Sequence, residues 1–206
     1  MRLKKGELIY QFKITLLHTE PSIWRRIQVP SGYSFWDLHV AIQDAMGWTD
    51  SHLHMFRMHP PGKQKEINIG IPDNEFDDIE IVAGWHTPLE RCFWRPGTRA
   101  IYEYDFGDSW EHDLLFEGVL IQEAGFSYPR CLAGENACPP EDCGGVNGYH
   151  DLLRTVQDSS QKEHESMVVW LASMVPDNIP FDPTRFDAKK VRFDNPKRRL
   201  RNLHMQ

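Results

Sequence analysis

Long hydrophobic runs are missing from this 206-residue chain. No apolar segment approaches the ~20 residues needed to cross a bilayer, so a helical membrane anchor and a membrane partner are excluded. No phosphate-cradling glycine loop and no dinucleotide glycine fingerprint occurs, which leaves nucleotide chemistry and organic cofactors without a foothold. Cysteine is scarce: four residues are not a secreted disulfide framework, and the expected compartment is the reducing cytoplasm. An excess of positive charge is also lacking. Lys and Arg number 23 against 30 Asp and Glu, a formal net charge of -7 that argues against indiscriminate binding to phosphate backbones. The N-terminal MRLKKGELIYQFKITLLH starts basic, but its apolar residues alternate with polar ones and no small-residue cleavage site follows. It reads as a strand rather than a signal peptide.

What is present suits a single core of ordinary size. Tyr10, Phe12, Ile14 and Leu16 recur with period two, and Ile23, Arg25, Ile27 and Val29 do so after a turn at Glu20-Pro21, predicting adjacent antiparallel strands over 8–17 and 22–29. Ser34, with Asp37 three residues on, caps a helix carrying Leu38, Ala41, Ile42, Ala45 and Met46 on one face, and Gly47 supplies its left-handed stop. A third strand is expected over 51–58, with His52, His54, Phe56 and Met58 facing one way. Thr87-Pro88-Leu89-Glu90 predicts a capping box and a short helix that buries Cys92. Tyr102, Tyr104 and Phe106, then Trp110, His112, Leu114 and Phe116, flank Gly107-Asp108-Ser109 and predict a hairpin over 100–117. Two helices are expected after Asn147 and after Ser160, the second with a Ser160/Glu163 capping box. The fold expected is α+β, an antiparallel or mixed sheet with helices mainly on one face. Residues 1–193 form one domain in this reading. Residues 194–206 form a basic extension or helix, following the seven Lys or Arg residues between Lys189 and Arg201.

Chemistry-bearing residues concentrate in two places. Asp105, Asp108, Glu111 and His112 gather at the hairpin tip, where a carboxylate beside an imidazole can orient its tautomer, and His52 and His54 offer a second imidazole pair. Further on, Cys131, Cys138 and Cys143 are separated by six and four residues in a Gly/Pro-rich loop. Three thiolates plus His112 would make a four-donor structural zinc site, with His150, Asp142 or the His52/His54 pair as other fourth ligands. The spacing is not a Cys-x2-Cys knuckle. Packed free thiols, a Cys131–Cys138 disulfide and a cysteine nucleophile activated by His112 therefore stay open beside it.

The blocks PSIWRRIQVP, LHVAIQDAMGWTDSHLHMFRM, YEYDFGDSWEHDLLFEG, YPRCLAGENACPPEDCGGVNGYHDLL and FDPTRFD, in that order, resemble the plasmid pRiA4b open-reading-frame-three family over roughly residues 7–193. The chain departs from the family pattern at Cys92-Phe93-Trp94 and in its longer basic tail. The resemblance implies one α+β domain of an uncharacterised family, some of whose members are carried by plasmids or insertion elements, and it assigns no catalytic residue. The leading expectation is a non-enzymatic accessory or binding protein, acting on a protein or small molecule, with a Cys-rich loop stabilised by zinc. One alternative is a metal-dependent hydrolase using His52, His54, Asp105, Asp108, Glu111 and His112. A second is a DNA-associated protein of mobile elements, which would need Arg25, Arg26 and the basic tail to share one positive surface.

Overall fold

A computed structural model describes residues 7–72 and 80–203. The strands are β1 (Leu8–Leu16), β2 (Ile23–Pro30), β3 (His54–Met58), β4 (Ile67–Gly70), β5 (Ile81–Ala83), β6 (Arg99–Tyr104), β7 (Trp110–Ile121) and β8 (Arg130–Glu135). They form one sheet in the order β5-β4-β3-β6-β7-β1-β2-β8. Only the β4–β5 pairing is parallel among the described residues; the others are antiparallel. Helix α1 (Phe35–Met46) follows β2, and α2 (Gly145–Gln157), α3 (His164–Met174) and α4 (Pro196–Leu203) follow the sheet. The fold is therefore α+β with a mixed sheet and helices packed against it. No described helix is long and apolar enough to cross a membrane.

Strand alternation sends one set of side chains to each face. Phe12, Ile14, Ile27, Phe56, Tyr102, Leu114 and Phe116 are sealed on the inner face with Phe35, Leu38 and Ile42 of α1. Rings interlock across the layers, with centroids 5.1 Å apart for Phe35–Phe56 and 5.0 Å for Phe12–Phe93. The outer face carries ion pairs: Arg26 with Glu117, Arg57 with Glu103 and Glu111, and Arg99 with Asp113. Helix α1 begins and ends as its sequence predicts. Ser34 and Asp37 satisfy each other's backbone amides, and Gly47 takes a left-handed φ of 91°.

Several expectations change. Strand β3 starts only at His54, so His52 leaves the register it was expected to share with His54, and the loop before it bends through Asp50 at φ 63°. Cys131 lies on the edge strand β8, opposite Ile27, rather than in a loop. The Thr87/Glu90 capping box does not form as a helix cap. Leu89–Arg91 is a single 3-10 turn without a side-chain cap bond, and the Thr87 hydroxyl donates to the Ala83 carbonyl instead. Cys92 is buried as expected. Helix α3 begins at His164 rather than near Ser160, because Ser160 turns back onto Asp158 through both its amide and its hydroxyl. Arg25 and Arg26, neighbours on one strand, point to opposite faces: Arg25 is buried, and Arg26 is clamped at 2.8 Å through Nε and through Nη2 to Glu117. They do not share one positive surface. The basic C-terminal segment docks by polar contacts rather than through its leucines alone. Arg199 pairs with Asp44 at 2.6 Å, and Trp36 Nε1 donates to the Pro196 carbonyl at 2.9 Å.

Candidate metal centre

The β6–β7 turn is built around Asp105. Its φ of 57° is the left-handed conformation that Asp tolerates better than most residues. Oδ1 accepts from the amides of Gly107 at 2.9 Å and Asp108 at 3.3 Å. With Oδ1 held by backbone, Oδ2 faces His52, whose Nε2 lies 3.7 Å away. The Asp105 amide donates to the Leu53 carbonyl at 2.9 Å, tying this turn to the loop that carries His52.

A third segment closes the site. The 136–145 loop passes through Asp142 at φ 59°, whose Oδ1 sits 3.0 Å from His52 Nε2. Asp108 holds the loop in register: its Oδ2 accepts from the Gly144 amide at 3.2 Å. Gly145 is required here, since a Cβ would stand 2.5 Å from the Asp108 carbonyl oxygen on a backbone already at φ 67°. Glu141, next to Asp142, turns inward. It is buried and accepts from the Tyr104 hydroxyl and from the amide and hydroxyl of Thr49. Trp48 Nε1 adds a 2.9 Å bond to the Pro139 carbonyl. Three segments distant in sequence are thereby locked together, leaving His52 30% and Asp142 62% exposed at the surface while Asp105 is 12% exposed beneath them.

One ligand atom from each of His52, Asp105 and Asp142 lies within 4.8 Å of the others, the one such group of three among the described residues. Zinc bonds of about 2.0–2.2 Å to nitrogen and oxygen place tetrahedral donors roughly 3.3–3.5 Å apart. The two His52 separations bracket that range.

The other candidates lie elsewhere. Glu111 faces the outer side of the sheet and pairs with Arg57. His54 is fully enclosed, stacked on His39 with ring centroids 3.5 Å apart and planes at 6°. Burial and the neighbouring His39 push its pKa well below the ordinary histidine value. His112 is also enclosed. Its Nδ1 lies 3.1 and 3.2 Å from the carbonyl oxygens of Trp110 and Tyr102, so Nδ1 carries the proton and Nε2 keeps a buried lone pair without a partner among the described residues. Burial lowers the His112 pKa to about 4, against the raising effect of those two backbone bonds.

The clustered cysteines are free thiols, partly buried and packed against the core. Burial pushes Cys138 and Cys143 up to about 12 and raises Cys131 as well. Such groups are protonated at neutral pH and poor nucleophiles. Cys131, Cys138, Cys143 and His112 do not make a group of donors within 4.8 Å as they stand, and no Cys131–Cys138 disulfide is present. His150 lies on α2, outside the converging set. Asp142, which the sequence offered only as a fourth ligand for the thiols, belongs instead with His52 and Asp105. Glu141 had no distinguishing pattern beyond its place in a Pro-Pro-Glu-Asp run.

Fold and site together describe an α+β protein whose His and Asp side chains form a surface cluster able to coordinate a metal ion. Residues 8–190 match the family described as plasmid pRiA4b ORF-3-like protein, and the chain belongs to that family. It is 36% identical over 166 residues to the uncharacterized protein y4hQ of Sinorhizobium fredii (strain NBRC 101917 / NGR234), covering 80% of this chain and 81% of that one. The fold is similar to the crystal structure of MM3350, a protein of unknown function from Methanosarcina mazei Go1. That comparison gives a TM-score of 0.80 and 39% identity, over 91% of this chain and 99% of the other.

Proposed function

We propose that this protein is a metal-dependent hydrolase whose divalent cation is held by His52, Asp105 and Asp142. The observation that carries the reading is the convergence of three donors, from three separate segments, within 4.8 Å at an accessible position. Three protein ligands leave coordination positions for water and substrate, the pattern of catalytic rather than structural zinc sites. Zinc fits the imidazole and carboxylate donors, and manganese is the next candidate for a carboxylate-rich set. A cation there would supply Lewis-acid polarisation of a substrate oxygen. The chain's own part is preorganisation. Asp105 is aimed by the amides of Gly107 and Asp108, Asp142 by the bond between Asp108 and Gly144, and His52 by the loop that Thr49 fastens to Glu141. His52 must offer a lone pair at Nε2, so cation uptake competes with a proton and is weakened by acid.

Metal analysis of the native protein, followed by calorimetric titration of the EDTA-stripped chain with zinc and with manganese, tests this. His52→Ala and Asp142→Asn should each weaken uptake by about 100-fold or more, at the upper end of what perturbing a metal site costs. The metal-loaded protein should hydrolyse p-nitrophenyl esters or phosphates, and the stripped protein should not. Unchanged uptake in both variants would sink the assignment. Loss of metal in a Cys138→Ala variant, with the His52 variant unaffected, would move the ion to the cysteine loop. Stoichiometric metal at His52 without turnover would leave the binding-protein reading.

A further inference from the structure

The 136–145 loop has a second side. Cys138 and Glu141 line a cleft of about 630 Å³ that runs from the C-terminal end of α1 to the segment following α3. That volume suits a small organic molecule. Its walls combine apolar surface, including Met46, Trp48, Phe181 and Phe186, with four cations: Arg25, Arg185, Lys190 and Arg192.

The charges in this cleft are unevenly satisfied. Of its carboxylates, Asp44 is paired with Arg199, Glu141 holds Tyr104 and Thr49, and Asp187 accepts from the Lys189 amide at 2.9 Å. Asp177 is left without a hydrogen bond among the described residues. No ion pair within 4.0 Å involves any of the four cations among the described residues, although Arg185 lies in the field of the exposed Asp182. Arg192 spends Nη1 on the carbonyls of Lys189 and Val191. Arg25 is the telling case. It is 1% exposed, donates to the carbonyls of Ala45, Trp24 and Glu135, and lies with its guanidinium 3.6 Å from the centroid of the Phe186 ring. Carbonyls take the N–H groups of Nε and Nη1 but do not neutralise its charge, and a buried cation calls for an anion nearby. The thiols of Cys131 and Cys138 in its electrostatic surroundings do not supply one, because burial keeps them protonated.

We infer that the cleft binds a small amphipathic organic anion, a phosphate or carboxylate joined to an apolar ring or chain. The acidic group meets Arg185 and Lys190 at the mouth, with Arg25 behind supplying the field, and the apolar part lies against Trp48, Phe181 and Phe186. This goes beyond the metal reading and holds or fails separately from it, since none of the three proposed metal ligands lines the cleft.

Calorimetric titration of the full chain with phenyl phosphate, in EDTA so that no cation at His52 can bridge to the probe, tests the assignment. Saturable one-to-one binding is expected, with inorganic phosphate and benzyl alcohol each weaker by about tenfold or more, since each carries half of the recognised chemistry. The Arg185→Ala/Lys190→Ala double variant alters two exposed side chains and should keep its melting temperature while binding phenyl phosphate about tenfold more weakly. Absence of saturation, equal binding of benzyl alcohol, or an unaffected double variant would each overturn the proposal.

Discussion

Along the 136–145 loop, polar groups packed into the interior and groups of the same kinds open to solvent stand side by side. Glu141 and Asp142 are consecutive carboxylates, yet one is 6% exposed as a residue and fully engaged, while the other has a side chain 62% exposed and meets a histidine from a distant segment. The histidines divide in the same way. His112 and His54 are sealed and kept neutral, whereas His52, two residues before His54, reaches the surface. Residue type therefore says little about which group is structural and which is available for chemistry. Whether each one is packed into the interior or left at the surface decides it.

The largest test of this contrast is Glu141→Ala. It strands the buried Tyr104 hydroxyl as a donor and takes the carboxylate acceptor from the exposed Thr49 amide and hydroxyl, and chemical denaturation should register a loss of about 4 kcal/mol, the worth of two hydrogen bonds to a charged group. Next is acid. The folded-state pKa of His112 is depressed to about 4 from an ordinary 6.5, so below that ordinary value the unfolded chain takes up a proton that the folded chain refuses. Stability is complete above about pH 6.5 and falls by about 3 kcal/mol as pH drops toward 4, a slope that should flatten in a His112→Gln variant. His54 pushes in the same direction. A milder effect is expected from Cys138→Ala, about 1 kcal/mol if the thiol acts as a small packed hydrophobe. A collapse of the fold that added zinc reverses would instead mark it as a structural ligand. Smallest is Asp142→Ala, which should shift the denaturation midpoint by less than about 0.5 kcal/mol while removing metal uptake. A large stability loss there would erase the distinction between the buried Glu141 and the exposed Asp142.

Much of the scaffold was legible because strand and helix periods are local. The alternation in β1, β2, β6 and β7 identified the inner face residue by residue, and Ser34, Asp37 and Gly47 marked both ends of α1. The same alternation misled at His52, because extending β3 by a few residues put it on the face of His54, when the chain had already left the sheet. The Ser160 and Thr87 caps were also misread. A short polar side chain near a helix start has other backbone groups to bond, and which it takes depends on where the chain turns. In the candidate site, Asp105 and His52 were recognisable as donor types, but Asp142 was assigned to the thiols because it is their neighbour along the chain.

From residue order alone came the two-faced strands, the capped first helix, the hairpin, the buried Cys92 and the family to which the chain belongs. Tertiary structure alone decided that His52, Asp105 and Asp142 meet and that Glu141 turns inward. The physical reason is range. Backbone periodicity and capping are settled within a few residues, whereas His52 and Asp142, 90 positions apart in the chain, are brought together only by the packing of the loop before β3, the β6–β7 turn and the 136–145 loop.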